Sequence, residues 1–476
     1  MCGESILRCG TAGLGSRYDA LPRPSDRLIV TAPYRFPVTD SRGRRHGGRG
    51  FPFGILAEIG IALLLVVGVL VIGRYHALRN AAPERAVLGK AGPPLERPLA
   101  VPPPADVSQV AAVSSTSSDI DYRRIDARLK ALMARNEMVG LGIVVIENGA
   151  FRFLKGYGTT VAGGAEPVTP DTVFRWASVS KGVASTMLAE LAAEKKLSLG
   201  DSVAAHAPSL HLPDGMEKEA TVTDLLSQRL GIVKNAYDDR LEGDQDPYAI
   251  RGMLASLDRY CRPGTCWTYQ NVAYDAASEI VERVTGKDYG AVVKARLFDP
   301  LGMKSASMTR EGLIGAKSWA KPHQGRNVLE VKEAYYRVPA AGGVNSSIRD
   351  LGLWMRAQMG EAPKVLPKSV LWTIHLPRIF TTTPRSRMAD YDLAMERPSY
   401  GLGWRDSVYQ GHRLIGHRGA VSGYRSLILF DPERRSGVAM LWNSSTSRPA
   451  GLPLEIFDML YGLPAKDWLQ LDGKRH

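Results

Sequence analysis

Ser178-Val179-Ser180-Lys181 puts a hydroxyl and an amine three residues apart where a helix should begin. Positions i and i+3 share a helical face, so Lys181 can reach the Ser178 hydroxyl. A serine alcohol is a poor nucleophile until a base takes its proton. A lysine that is desolvated and close to other cations can be neutral enough to serve. Backbone N–H groups at the start of a helix also point at whatever reacts there. The chemistry these groups suit is acyl transfer through a serine, with Ser178 as nucleophile. The pair alone is weak, since about one or two serines in such a chain have a lysine three places on by chance. Ser180 lies close by but has no lysine at the same offset.

Two further sites strengthen the reading. Tyr269-Gln270-Asn271 follows Pro263-Gly264 and Trp267 in a loop, and a phenol and an amide two apart can face one cavity. A Tyr269 phenolate would share a proton with Ser178 and Lys181, and later with the leaving group. Asn271 would hydrogen-bond a substrate amide and Lys181. Taken singly, Tyr269 reads as a packed aromatic. His417-Arg418-Gly419-Ala420 reads as an edge strand beside the same pocket. Gly419 would let a substrate pass close to the backbone. The Ala420 N–H and the Ser178 N–H would form an oxyanion hole. His417 would tune the tyrosine or contact a substrate carboxylate, and Arg418 and Arg425 suit a carboxylate-bearing substrate. Asn443 would face the substrate or cap a turn. His206 and His211 read as structural, and the histidines form no metal constellation.

The elements that must position these groups begin near Asp119. Ile125, Leu129 and Leu132-Met133 give a helical stripe through Asn136. Gly142 to Glu147 and Phe151 to Leu154 flank Asn148-Gly149, a strong hairpin signal. A second helix follows Ser178, with Met187, Leu188 and Leu191 on its apolar side. Residues 200 to 400 read mostly as helices and irregular loops. Strand character returns at Leu414-Ile415, Tyr424 to Phe430 and Gly437 to Leu441, and Leu454 to Leu460 suggests a closing helix. Strands at both ends with helices between imply one antiparallel sheet built from distant parts.

Length and charge bound the rest. The chain has 476 residues and a net charge of +13, with no basic stripe interleaved with aromatics, so no nucleic-acid partner is expected. Residues 1–50 read as a disordered basic segment. Residues 51–74, of which Phe51 to Gly73 carry one charge, Glu58, are long enough for a transmembrane helix; a cleaved signal peptide and a buried helix are the alternatives. Residues 75–118, with Pro93-Pro94 and Pro102-Pro103-Pro104, read as a linker. The folded unit is expected over 119–463, with 464–476 as a tail. Cys261 and Cys266 flank an Arg-Pro-Gly-Thr turn and either form a disulfide or stay reduced.

From about 120 to 463 the chain resembles the penicillin-recognising serine hydrolases: class C β-lactamases, D-alanyl-D-alanine carboxypeptidases and β-lactamase-like esterases. The resemblance rests on Ser-x-x-Lys at Ser178 and Lys181, Tyr-x-Asn at Tyr269 and Asn271, and His-x-Gly at His417 and Gly419. Leu225 to Arg229 with Gly231, and Ala341-Gly342-Gly343 through Asp350, look like further landmarks of that family. The resemblance implies an α/β fold of the α+β type, β-lactamase/transpeptidase-like. An antiparallel sheet would be flanked by terminal helices and carry a large, mostly helical insertion. It implies an acyl-enzyme at Ser178, no cofactor and no metal. The expected enzyme is a membrane-anchored carboxypeptidase or β-lactamase-type hydrolase. It would act on a small-molecule or muropeptide substrate at a bacterial inner membrane, with the catalytic domain in the periplasm. An esterase and a catalytically silent peptidoglycan-binding module are the alternatives. Histidine stands where class C β-lactamases have lysine, and Arg418 fills a place usually held by threonine or serine. The lost hydroxyl weakens the case for efficient β-lactam hydrolysis.

Overall fold

The computed structural model describes residues 118–381 and 389–473. The basic segment 1–50, the apolar segment 51–74 and nearly all of the linker 75–118 lie outside the described residues. Among the described residues, no helix is long and apolar enough to cross a membrane.

Twelve strands are described: β1 Gly140–Glu147, β2 Ala150–Gly158, β3 Val173–Arg175, β4 His323–Gln324, β5 Asn327–Val328, β6 Asn345–Ser347, β7 Ile379–Phe380, β8 Glu396–Tyr400, β9 Arg405–Tyr409, β10 His412–Val421, β11 Tyr424–Asp431 and β12 Ser436–Trp442. Eight of them form one antiparallel sheet in the order β2-β1-β12-β11-β10-β9-β8-β7. The first hairpin therefore pairs with the last strand, as the split strand pattern implied. Its turn is Asn148-Gly149, both with left-handed backbone (φ +50° and +75°), the geometry that matches strand twist.

Side chains alternate across this sheet because successive strand residues point to opposite faces. Leu141, Ile143, Val145, Leu427, Leu429, Val438 and Met440 pack on one face with the helices Tyr122–Met133 and Leu452–Leu460. Val144, Ile146, Ile415, Ile428, Phe430, Ala439 and Leu441 pack on the other, against the helical region. The helix Ser180–Ala193 lies in that second layer and is buried from Ser180 through Leu191. It is a central helix, buried all round and not only on the side of Met187, Leu188 and Leu191.

Two boundaries differ from expectation. The fold does not stop at 463. Leu469 is buried, Trp468 Nε1 donates to Asp458 at 2.8 Å, and Arg128 pairs with Asp472 at 2.7 Å and with Asp467. These contacts fasten the chain end onto the helices Tyr122–Met133 and Leu452–Leu460. The region before 400 also contributes β7 and β8 to the sheet, and β9 follows directly. β8 and β9 are short and rich in polar residues, so no apolar alternation marks them.

Candidate active site

The turn that carries Ser178 is held on three sides. β3 runs into it and pairs with β6, so that Trp176 N–H donates to the Val344 carbonyl at 2.8 Å. The Trp176 carbonyl accepts from Ser426 Oγ on β11 at 2.5 Å. Ala177 then adopts φ +48°, a left-handed conformation that costs a non-glycine residue about 1–2 kcal/mol. The chain leaves this bend through the short 3-10 turn Ala177–Val179 into the helix Ser180–Ala193. Ser178 is half-buried at the leading end, where backbone N–H groups are not yet taken by helix bonds. Ser180 is fully buried and its Oγ accepts from Val344 N–H at 3.0 Å, which gives it a structural place.

Lys181 is completely buried. Its Nζ donates to Asn271 Oδ1 at 2.7 Å and to the Ala341 carbonyl at 3.0 Å. It also lies 4.7 Å from the centre of the Tyr269 ring and 5.3 Å from that of Tyr274. Lysine, tyrosine and asparagine from motifs some 90 residues apart in the chain thus meet around the Lys181 amine, three residues past Ser178. A neutral amine has two N–H groups and one lone pair. In such an amine, two N–H groups given to carbonyl oxygens would leave the lone pair for a neighbouring hydroxyl. The Ala341 carbonyl supplies a physical role for the Ala341-Gly342-Gly343 landmark.

The tyrosine loop is clamped from below by Gln228. Gln228 Oε1 accepts from Gln270 N–H at 2.7 Å, and its Nε2 donates to the Gln270 carbonyl at 3.1 Å. The Gln270 side chain reaches back to Val233 and Ala236, while Asn235 N–H donates to the Tyr269 carbonyl at 2.8 Å. Gln270, lying between the two catalytic candidates, is therefore the anchor, and Tyr269 and Asn271 are what it presents. Cys261 and Cys266 are joined by a disulfide with Cα atoms 6.3 Å apart. It closes the turn just ahead of Trp267, and the Cys261 N–H hooks the turn onto the Gly231 carbonyl at 3.2 Å.

His417 is buried and faces this cavity, its ring 6.2 Å from that of Tyr269. Nδ1 lies 2.8 Å from the Arg418 carbonyl, so it carries the proton, and Nε2 accepts from the Tyr400 hydroxyl at 3.1 Å. Burial holds its pKa well below the usual imidazole range, with the charges of Arg405 and Lys181 adding to the effect. A neutral histidine satisfied on both nitrogens fits contact with the tyrosine side of the site better than capture of a carboxylate.

The strand register sets where the Ala420 N–H points. Gln410-Gly411 (φ +49° and +81°) is a two-residue turn that makes Tyr409 and His412 its closing pair. Counting in twos along β10, the N–H groups of Leu414, Gly416, Arg418 and Ala420 point to the β9 side. β9 stops pairing at Gly416, so the Ala420 N–H leaves an edge that no strand covers. β10 is thus an edge strand only from His417 onward.

Gly419 corrects a reason. An added Cβ would lie 2.2 Å from the Trp176 carbonyl, 2.2 Å from Ser426 Oγ and 3.1 Å from Ala177 Cβ. The glycine is needed by the protein's own serine turn, and this contact sets β10 beside Ser178.

Three expected substrate residues are not brought into the set. Arg418 alternates away from His417 and its guanidinium lies 5.1 Å from the Tyr391 ring. Arg425 folds back onto the carbonyls of Val421 (3.0 Å) and Tyr424 (2.7 Å). Arg425 leaves the sheet on the face opposite His417, because its strand partner Ala420 has the opposite parity. Asn443 is fully buried, and its Nδ2 donates to the Thr160 carbonyl at 3.0 Å, a tie to the chain that follows β2. Sequence reasoning missed Arg405, Tyr400 and Asp238. Arg405 lies 5.5 Å from the Trp267 ring and 5.8 Å from that of Tyr400. Asp238 Oδ2 accepts from Asn271 Nδ2 at 2.7 Å. No spacing pattern marks any of them.

Comparison with known proteins bears on the family and the fold. The Beta-lactamase family matches residues 125–460. The unguisins hydrolase ungD' of Aspergillus campestris (strain IBT 28561) is 26% identical over 356 residues, covering 69% of this chain and 62% of that protein. Protein flp of Staphylococcus aureus (strain MW2) is 23% identical over 332 residues, covering 67% of this chain and 63% of that protein. The chain thus spans about six-tenths of the length of these curated relatives. Among solved structures, the octameric penicillin-binding protein homologue from Pyrococcus abyssi superposes with a TM-score of 0.66 at 24% identity, over 74% of this chain and 80% of that one. A D-stereospecific amidohydrolase from Streptomyces sp. gives 0.57 at 21%, over 72% and 100%. At those identities the two structures speak to the fold.

Proposed function

Because the chain belongs to the beta-lactamase family, whose members are serine hydrolases working through an acyl-enzyme, we propose that it hydrolyses small peptide-like amides bearing a carboxylate, in the manner of a D-alanyl-D-alanine carboxypeptidase. The observation that carries this reading is the buried Lys181 amine held between Asn271 Oδ1 and the Ala341 carbonyl, beside Tyr269. In the proposed cycle the Lys181 lone pair takes the Ser178 proton and Ser178 Oγ attacks the substrate carbonyl carbon. The resulting oxyanion lies between the N–H groups of Ser178 and Ala420. The proton returns through the Tyr269 hydroxyl to the leaving amine as the C–N bond breaks. Water then attacks the ester at Ser178, giving up its proton to the same base and releasing the acid. The amidohydrolase among the structural neighbours supports an amide substrate by analogy.

The substrate carboxylate is assigned to Arg405 in place of Arg418 and Arg425. Arg405 stacks on Trp267 and Tyr400, and its charge is the first to act on His417 after burial itself. The apolar segment 51–74 and the proline-rich stretch after it support a membrane-tethered enzyme facing the bacterial wall.

A panel of a D-Ala-D-Ala peptide, a fluorescent penicillin and a p-nitrophenyl ester tests this. Peptide turnover is expected, with KM raised roughly 10–100-fold by Arg405→Ala and changed less than about threefold by Arg418→Ala. Ester turnover with no peptide cleavage would assign the esterase reading. Lasting penicillin label with no turnover would assign the binding module.

A further inference from the structure

Asn271 can serve Lys181 in one orientation of its amide only. With Oδ1 toward Lys181 Nζ, it accepts an N–H and leaves the amine lone pair for Ser178. With the amide reversed, Nδ2 would donate to that lone pair and take the base out of use. A neutral amine can donate to Oδ1 or accept from Nδ2, so Lys181 cannot by itself prevent the reversal. Something on the far side of Asn271 must accept and not donate.

Asp238 fills that position. Its Oδ2 takes the Asn271 Nδ2–H at 2.7 Å, and its Oδ1 is buried with no hydrogen-bond partner among the described residues. An ionised carboxylate can only accept, so it holds Nδ2 on its own side. The backbone around Asp238 is strained in a way that keeps it there. Asn235 and Tyr237 both have left-handed φ, +55° and +58°, and such conformations persist only where the surroundings enforce them. The same segment is tied to the Tyr269 loop through the Asn235 N–H to Tyr269 carbonyl bond. The loop that presents Asn271 and the turn that presents Asp238 are therefore one clamped unit.

We propose that Asp238 is a positioning residue: it fixes the Asn271 amide so that its carbonyl oxygen orients Lys181, and its negative charge reaches the lysine through that amide. The proposal rests on the serine-hydrolase reading above. Electrostatic support comes from the groups around it. Burial raises the Asp238 pKa, while the Asn271 bond and the positive charge of Lys181 oppose that rise. Glu242 and Asp239 on its own turn, and Tyr335 from the turn Ala334–Tyr336, are the other titratable groups that face it. Tyr269, Tyr274 and His417 face Lys181. No other carboxylate reaches Asn271 among the described residues.

The test is the pH profile of fluorophosphonate labelling of Ser178 in the full chain, for wild type, Asp238→Asn and Asp238→Ala. This reagent reads activation of the nucleophile without needing the natural substrate. Asp238→Ala is expected to lower the labelling rate by roughly 10–100-fold, as for loss of a charge-assisted hydrogen bond. Asp238→Asn keeps a carbonyl acceptor for Asn271 but loses the charge. Its plateau is expected within about threefold of wild type, with the acid limb moved to lower pH by about half a unit. The sign follows because the lost charge had favoured the protonated amine. Equal losses in both variants with an unmoved acid limb would reduce Asp238 to a structural residue and overturn the proposal, as would a wild-type rate in Asp238→Ala. Either result leaves wild-type labelling intact, and with it the hydrolase reading. Absence of labelling at Ser178 in the wild type would overturn both.

Discussion

Replacing Lys181 by methionine is expected to slow acylation of Ser178 by roughly 10³-fold or more at every pH, with the fold intact. The reasoning is geometric. Lys181 is fully buried and its Nζ is the basic nitrogen held at the floor of the serine cavity, with acceptors at 2.7 and 3.0 Å. Methionine keeps the apolar stem and its packing, so the loss falls on proton transfer. Some stability is also lost, because Asn271 Oδ1 and the Ala341 carbonyl then lack a donor, an effect of ~1–3 kcal/mol per stranded group. Single-turnover acylation compared with thermal melting separates the two effects. A variant that melts earlier but acylates within tenfold of wild type would mean that another group takes the serine proton.

The second large effect is expected at Gly419. A methyl group there would lie 2.2 Å from the Trp176 carbonyl and 2.2 Å from Ser426 Oγ. Ser426 can rotate, at the loss of its 2.5 Å bond to Trp176, but the carbonyl is main chain and cannot. Gly419→Ala must therefore push β10 away from the turn that carries Ser178. In the proposed oxyanion hole the Ala420 N–H would move away from the Ser178 N–H, and loss of an oxyanion donor costs about 10²–10³-fold in kcat. Overpacking of this kind also costs ~1–3 kcal/mol in stability. The diagnostic result is a soluble, folded variant whose kcat falls far more than its melting temperature accounts for. Unchanged kcat in a folded Gly419→Ala protein would remove β10 from the oxyanion hole.

Much of the site was readable from local chemistry. Ser178, Lys181, Tyr269 and Asn271 were found because a hydroxyl-amine pair and a phenol-amide pair carry their spacing in the chain. The hairpin at Asn148-Gly149 and the late strands were found because turn residues and β-branched runs are local signals. What escaped depended on strand parity and long-range packing. Arg418 and Arg425 looked like cavity cations, yet adjacent strand residues point to opposite faces, and His417 had already taken the catalytic side. Gly419 looked like a gap for a ligand, and the neighbour that fills it lies more than 240 residues earlier at Trp176. Asp238 and Arg405 enter the site from a short turn and a polar strand, neither of which announces its destination. The fold extended past residue 463 because Trp468 and Leu469 return to the last helix and Asp467 and Asp472 to Arg128 of the first, contacts that no periodicity in so short a segment could indicate.

The central claim is that the Ser178 hydroxyl, freed of its proton by Lys181, forms the covalent intermediate. The most direct test is intact-mass and peptide mapping of the full chain after brief exposure to a fluorescent penicillin and to an activated ester. A single acyl adduct on the peptide containing Ser178 is expected in the wild type, none in Ser178→Ala, and an undiminished adduct in Ser180→Ala so long as that variant folds. An adduct of wild-type yield on Ser178→Ala would contradict the account.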